Sequence, residues 1–595
     1  MTDEVLLRVD GLGVSYGGKS AVAELSFTLA RGRCLGIIGE SGAGKTQAFL
    51  AMLGLLPPQA RVTGRAELAG VPLLTPAGAA MRGRKVAMIF QDPLSSLTPH
   101  MRIGDQIAEP LVVHQGLTWK SARDRAARLL ERVRMSDVPR RMRQYPHELS
   151  GGMRQRAMIA MALACDPELL VADEPTTALD VSVQAQLLAL LRELVAERRL
   201  ALAVITHDMG VIAALADEVL VMRHGRTVEH GAVATVLRAP AHEYTRALLA
   251  ATPRLEEPAP AAAARGGEAA APLTVRNLVV RHRLRGGLRR ARELVAVNDV
   301  SFELAEGEAL GIVGESGSGK STLVSALLRL GPLSAGEIGW LGNPLQAVEG
   351  EALRKLRDSL QVVFQDPFAS LDPSMTVGEC IAEPLRALRP SMSGAERRQR
   401  VAAMLERVGL GAEYAQRRSP TLSGGQCQRV AIARAMIIEP KLLVCDEAVS
   451  ALDVSIQAQI LDLLDGIKRA QRTSLIFVSH NLAVVRRVCE RVLVMYLGRV
   501  VESGPTGQVF RAPRHPYTRM LLASVPLLDP GEERARLARL DLSGETPSAV
   551  DRPAGCEFHL RCPAVQQHCR SASPEPEQFD KSRQVACFRW RELGN

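Results

Sequence analysis

The stretch CLGIIGESGAGKTQAFLAML (34–53) returns almost unchanged as ALGIVGESGSGKSTLVSALL (309–328). In each copy an apolar run ends in glycine, a glycine-rich turn follows, and apolar residues with helical spacing begin at a Lys-Thr or Lys-Ser pair. The predicted order is strand, loop, helix. The residues Gly39, Ser41, Gly42 and Gly44, and in the second copy Gly314, Ser316, Gly317 and Gly319, leave backbone N–H groups free to turn inward around a phosphate. The helix N-terminus adds partial positive charge. Lys45 or Lys320 reaches the β- and γ-phosphates of a nucleotide, and Thr46 or Ser321 offers a hydroxyl to Mg²⁺. Average composition gives about 0.02 chance matches to GxxxxGK[ST] in a chain this long. Two matches in the right context exclude a mere glycine-rich turn.

Outward from these loops the rest of the chain repeats as well. FQDPLSSLTP (90–99) returns as FQDPFASLDP (364–373), and LSGGMRQR (149–156) as LSGGQCQR (422–429). VADEPTTALD (171–180) returns as VCDEAVSALD (444–453), and VITHDM (204–209) as FVSHNL (477–482). Lys320 follows Lys45 by 275 residues and Ser423 follows Ser150 by 273, so the blocks keep one order at a nearly constant offset. That is a duplication. The predicted domains are 1–254 and 273–530, joined by the flexible tether LEEPAPAAAARGGEAAAP (255–272), with a third region at 531–595 that has no counterpart in the first half.

The 595 residues exceed what a single core usually organises. Apolar residues make up 47% and aromatics 3%, which suits a helix-rich α/β protein better than a β-sandwich. No stretch approaches the roughly 20 apolar residues of a membrane span, and MTDEVLLRV (1–9) lacks the pattern of a signal peptide. A soluble, cytoplasmic chain is expected. The net charge of +10 is a weak field over this length and does not select a partner.

LLVADE (169–174) and LLVCDE (442–447) read as buried strands ending in paired acids. An isolated Asp-Glu pair there would ordinarily be a strand cap. Downstream of a phosphate loop, Asp173 or Asp446 suits a Mg²⁺-associated carboxylate, and Glu174 or Glu447 a carboxylate that polarises an attacking water. Gln91 and Gln365 are placed to sense metal and water, and His207 and His480, each ending an apolar strand, to contact the γ-phosphate.

LSGGMRQR and LSGGQCQR, lying between the glutamine and the second acid strand, resemble the signature motif of ATP-binding-cassette (ABC) proteins. The resemblance covers nearly the whole chain. It implies two tandem P-loop ATPase domains, each with a RecA-like α/β core, an antiparallel β subdomain and a helical subdomain. It also implies that each ATP is sandwiched between one domain's loop and the other's signature. Lys45 would share its nucleotide with Ser423, Gly424 and Gly425, and Lys320 with Ser150, Gly151 and Gly152. Asp180 and Asp453 would lie in loops crossing that interface. Tyr16, in VSYGG, suits an aromatic that stacks on adenine. The second half departs here, with His282 or another residue of VVRHRL in its place.

The segments QDPLSSLTPHMRIGDQIAEPL (91–111), QDPFASLDPSMTVGECIAEPL (365–385), AHEYTRALLAATP (241–253) and RHPYTRMLLASVP (514–526) resemble the peptide and nickel branch of ABC importers. That resemblance implies two permease subunits, which receive the motion through the segments after Gln91 and Gln365, and an extracytoplasmic binding protein. It implies a peripheral position on the cytoplasmic face of the inner membrane. The cargo is a di- or oligopeptide, with glutathione or a nickel or other metal chelate as alternatives. Ribosome-associated twin cassettes are expected to carry a long charged helical insert between the cassettes and DNA-repair ones zinc modules inside them; this tether is short and Ala/Pro-rich, and no specific nucleic acid partner is expected. The arginine-rich run RHRLRGGLRRAR (281–292) has no interleaved aromatics and reads mainly as a solvated loop, with phosphate or anionic lipid contact as the alternative.

The tail holds Cys556, Cys562, Cys569 and Cys587, a complete set of thiolates for a metal centre. Disulfides are disfavoured in a reducing cytosol, and zinc ribbons use shorter knuckles. Iron–sulfur ligation is chemically reasonable, although the spacing leaves zinc or no metal open. Peptide-importer ATPases commonly end in a GC-x-F-x-x-RCP-type segment, several of them with a [4Fe–4S] cluster, and the resemblance implies a cluster here, with zinc as the alternative. The remaining cysteines, such as Cys34 and Cys445, read as small apolar core residues.

Overall fold

The structure is a computed structural model that describes residues 4–92, 96–177, 179–260, 271–284, 292–450, 452–540, 544, 546–580 and 582–593. Most of the tether's centre (261–270) and the middle of the arginine-rich run (285–291) lie outside the described residues. The chain divides into two units. The first comprises 1–252 with two short segments from later in the sequence, 453–455 and 526–541; the second comprises 253–452, 456–525 and 542–595.

In the first unit the loop-bearing strand Cys34–Ile38 is buried along its whole length, as are the acid strand Leu169–Asp173 and the strand Ala201–Ile205 that separates them. Continuous apolar runs of this kind belong to parallel strands covered on both faces. The sheet order is Arg226–Ala232, Glu218–Arg223, Cys34–Ile38, Ala201–Ile205, Leu169–Asp173, Val86–Ile89. All neighbours are parallel except the first pair, a hairpin. A separate antiparallel sheet orders Lys19–Ala30, Val5–Tyr16, Ala60–Leu68 and Val71–Pro72, and its apolar faces share a core with the phosphate-loop helix Lys45–Met52. The helices Ile103–Gln115, Trp119–Arg132 and Gly151–Ala162 form the helical part.

The second unit repeats this plan. Its loop strand Ala309–Val313 lies between Ser474–Val478 and Arg491–Tyr496, followed outward by Leu442–Asp446 and Leu360–Val363. Its sheet is longer by two strands. Gln584–Val585 pairs antiparallel with Arg499–Pro505, and Glu577–Gln578 pairs with Gln584–Val585, so the cysteine-rich tail extends the core sheet. A buried ion pair anchors it, with Arg583 donating to Glu502 Oε1 at 3.0 Å. Glu502 is fully buried and also accepts from the backbone N–H groups of Arg514 and His515.

Breaking a buried pair strands the surviving charge. Arg583→Ala is therefore expected to destabilise the second unit by about 3 kcal/mol while leaving the first unit's transition in place. Differential scanning calorimetry of the full chain, with the two transitions resolved, checks this.

Candidate functional site

Parallel strands in register deliver their C-terminal ends to one edge of the sheet, where an open α/β sheet binds its ligand. In the first unit Ile37 and Asp173 both pair with Ile205, and Ile89 pairs with Ala172. The phosphate loop, Asp173 and Glu174, His207 and Gln91 each follow one of these strands, and so arrive together. In the second unit the same register gathers Lys320, Asp446 and Glu447, His480 and Gln365.

The loops have the backbone that glycine permits. A Cβ on Gly39 would stand 2.2 Å from the Met222 carbonyl oxygen, and one on Gly314 would stand 2.2 Å from that of Met495. Gly44 and Gly319 head the following helices in the left-handed region, at φ +94° and +99°. The loop apices Ser41–Gly42 and Ser316–Gly317 stay exposed. Lys45 and Lys320 are buried and folded back on their own loops. Lys45 Nζ donates to the carbonyls of Gly39 (2.6 Å) and Glu40 (2.9 Å), and Lys320 Nζ to those of Gly314 (2.8 Å) and Glu315 (3.0 Å). Burial lowers the Lys45 ammonium below its ordinary value, against the raising effect of Asp453, Glu174, Asp173 and Glu40.

The hydroxyl and aspartate expected to flank Mg²⁺ are hydrogen-bonded to each other in both units. Thr46 Oγ1 donates to Asp173 at 2.9 Å, and Ser321 Oγ to Asp446 at 3.2 Å. Burial raises both aspartates, Asp173 to about 6. The adjacent glutamates go the other way. Burial raises Glu174, but hydrogen bonding and charge from His207, a bond from Thr177 and the charge of Lys45 together hold it at about 2. Glu447 is likewise held below its ordinary value against burial by His480 and Lys320. Two neighbouring acids therefore differ, one biased toward a proton and one held ionised. The ionised one can accept a hydrogen bond from water.

Each glutamate is gripped by the glutamine and the histidine. Gln91 Nε2 donates to Glu174 Oε2 at 2.8 Å, and His207 Nδ1 lies 3.2 Å from Glu174 Oε1. The second-unit distances are 2.9 Å for Gln365 and 3.5 Å for His480. The sequence reading overlooked Thr177, whose hydroxyl donates to Glu174 Oε2 at 2.9 Å. Its counterpart Ser450 instead donates to the backbone carbonyl of Glu447. The two sites thus differ in the number of groups holding the acid.

The signature serines cap helices. Ser150 Oγ accepts from Met153 N, and Ser423 Oγ from Gln426 N, each at 3.4 Å. Gln426 returns a bond to Ser423 N, which Met153 cannot do. Gly151 and Gly424 start the helices Gly151–Ala162 and Gly424–Met436, with Gly152 and Gly425 following. Asp180 heads the helix Val181–Arg198. Asp453 belongs to the first unit, where its charge reaches Lys45 and His207, and Ser455 Oγ donates to Glu40 Oε1 at 2.7 Å. Tyr16 ends its strand beside the phosphate-loop helix, with its hydroxyl donating to Gln47 Oε1 at 2.5 Å. By sheet register its counterpart is His282, since Val14 and Val280 hold equivalent pairings and each lies two residues earlier.

The YTR segments have a mechanical role that the sequence did not disclose. Helices Glu243–Ala251 and Pro516–Ser524 present Tyr244 and Tyr517, whose hydroxyls accept from the backbone N–H groups of Glu40 (3.1 Å) and Glu315 (2.8 Å). They brace the first turn of each phosphate loop.

These features have counterparts in known proteins. The family model described as ABC transporter matches residues 22–177 and 297–450. The chain belongs to the ABC transporter family. It carries two of that family's ATP-binding domains and is an ATPase, using ATP with Mg²⁺. A second model, described as the C-terminal region of oligopeptide/dipeptide transporters, matches residues 228–277 and 501–569. Among curated relatives, the glutathione import ATP-binding protein GsiA of Escherichia coli O6:H1 is 46% identical over 92% of this chain and 93% of its own. GsiA of E. coli K12 is also 46% identical, and that of Salmonella paratyphi A 44%, over the same shares.

Burial lowers His207, and the bond and charge of Glu174 raise it most, ahead of Asp208 and Asp453, with a net upward shift. Histidine Cε1–H NMR should place the nucleotide-free His207 midpoint above about 6.5 in the unsubstituted chain and show it lowered in Glu174→Gln.

Proposed function

We propose that this ABC protein is the ATPase subunit of an importer that takes up small peptides, glutathione included, through two permease subunits served by an extracytoplasmic binding protein. The observation that carries the reading is the double match to the oligopeptide/dipeptide transporter C-terminal region, together with relatives named for glutathione import that align over nearly the full chain. Glutathione is itself a tripeptide, so these findings favour one cargo class over metal chelates. No helix among the described residues is long and apolar enough to cross a membrane. Attachment at the cytoplasmic face of the inner membrane is therefore assigned to the permeases.

In the proposed cycle Lys45 and Lys320 leave their own loop carbonyls and turn to the β- and γ-phosphates of ATP. Ser423 with Gly424 and Gly425, and Ser150 with Gly151 and Gly152, complete the opposite side of each nucleotide. Asp180 and Asp453 lie in the loops between them. Thr46, Asp173 and Gln91, and in the second site Ser321, Asp446 and Gln365, would hold Mg²⁺, which supplies charge neutralisation for the departing phosphate. Glu174 and Glu447 orient and polarise the attacking water, and His207 and His480 contact the γ-phosphate. Tyr16 stacks on adenine in the first site. Closure is passed to the permeases through the segments after Gln91 and Gln365.

The tail is assigned a [4Fe–4S] cluster in preference to zinc. Cys556, Cys562, Cys569 and Cys587 all line one cavity, along with His559 and Phe588. Burial raises the thiols of Cys556 (to about 12), Cys562 and Cys587, and neighbouring cysteines of the set raise each of them further. Among the described residues no three such side chains stand in coordinating geometry. Binding would thus require thiol deprotonation and a rearrangement that brings the sulfurs together. By contrast Cys34 and Cys445 are fully buried in strands, as core residues.

Two measurements check these assignments. In proteoliposomes holding the permeases, Glu174→Gln and Glu447→Gln should each bind ATP yet lower ATP hydrolysis and ATP-driven uptake of glutathione about a hundredfold or more, the size of a lost general base; normal hydrolysis by both variants would remove the catalytic assignment. Anaerobically purified protein should be brown with about four irons per chain, whereas colourless, zinc-loaded protein would exclude the cluster.

A further inference from the structure

We propose that Arg561, in the cysteine-rich tail, is a positioning residue for the second ATP site: it fixes Glu315 of the phosphate loop, and through the Glu315 backbone it sets the place of Lys320. The contact is two-pronged. Arg561 Nη1 donates to Glu315 Oε2 at 2.6 Å and Nη2 to Oε1 at 2.9 Å, with both side chains almost wholly buried, at 3% and 2% exposure. Thr546 Oγ1 adds a bond to Glu315 Oε2 at 3.0 Å. A bidentate guanidinium–carboxylate pair fixes orientation as well as position, and in a buried setting neither partner can turn to water instead.

The consequence reaches the nucleotide site through one residue. Glu315 has its carboxylate held by Arg561, its N–H held by the Tyr517 hydroxyl at 2.8 Å, and its carbonyl bonded to Lys320 Nζ at 3.0 Å. The tail is also packed against that tyrosine. Phe558, three residues before Arg561, meets Tyr517 and Tyr496 at ring-centroid distances of 5.5 and 5.3 Å. The loop that must receive the β-phosphate is therefore held by the tail directly through Arg561 and indirectly through Phe558 behind Tyr517. Cys562 follows Arg561 directly, so the clamp is continuous with the cysteine cavity.

The first site lacks this clamp. Its equivalent residue, Glu40, is partly exposed, takes a hydroxyl bond from Ser455 at 2.7 Å, and forms no ion pair among the described residues. The two halves carry matched phosphate-loop sequences, yet the glutamate carboxylate of one loop is held by a buried guanidinium and that of the other by a serine hydroxyl. Arg561 would thus act on nucleotide affinity at one site alone, which a purely structural pair would not do.

The inference rests on the ATP-site reading, and the experiment separates the two. The full chain is photolabelled with azido-ATP and Mg²⁺, cut by protease within the tether, and the label on each half is quantified against nucleotide concentration. Arg561→Gln should raise the half-labelling concentration of the second half about tenfold and leave the first half unchanged; Arg561→Lys, which keeps the charge but loses the fork, should fall between. The double variant Glu315→Gln/Arg561→Gln leaves no stranded charge and should retain the selective defect, with thermal melts confirming a folded chain. Wild-type labelling of both halves in the folded double variant would overturn the proposal, as would equal weakening of both halves. Absence of saturable label on either half of the unsubstituted chain would instead overturn the ATP-site reading.

Discussion

In-register pairing of buried parallel strands is the constraint on which each candidate site depends. The loop strand, the strand leading to the histidine and the acid strand are apolar apart from single residues at their ends, so they bury on both faces and cannot slip without breaking their ladder. Their ends consequently coincide. Lys45, Asp173, Glu174 and His207 are separated by as many as 162 residues in sequence, yet they meet because Ile37, Asp173 and Ile205 share one level of the sheet. The same holds for Lys320, Asp446, Glu447 and His480 in the second unit.

At this edge the electrostatics separate two adjacent acids. The aspartate has a hydroxyl as its direct partner, and burial dominates. The glutamate is gathered by an amide and an imidazole, and in the first unit by Thr177 as well, which outweighs burial. Glu174 and Glu447 themselves sit at positive φ, +48° and +49°, and each donates its N–H to the neighbouring strand's carbonyl, Ile205 or Val478. A backbone conformation uncommon for a non-glycine residue is thus retained where it turns the carboxylate toward its partners.

The duplication is close in sequence but the two units have diverged in how they support their loops and acids. Thr177 and Ser450 occupy equivalent places and donate to different atoms of the glutamate. Ser150 caps its helix alone, whereas Ser423 shares a reciprocal box with Gln426. The tail adds two strands and the Arg583–Glu502 pair to the second sheet and places Arg561 against Glu315 of the second phosphate loop. Copies of one motif therefore do not imply copies of one environment.

The phosphate loops, the paired acids, the glutamines, the histidines and the signature serines were legible in the sequence because they are local: fixed spacing, an apolar strand before and a helical pattern after. Glycine at 39 and 314 was legible as part of the motif, but its physical reason is tertiary, since no side chain fits against the distant Met222 or Met495 carbonyl. What remained hidden was contact between residues far apart whose types are ordinary in isolation. Tyr244 and Tyr517 look like surface tyrosines until the helices carrying them dock behind the loops. Arg561 is one arginine among many until burial removes water as its alternative partner, which is why its pairing with Glu315, 246 residues away, was decided by tertiary structure.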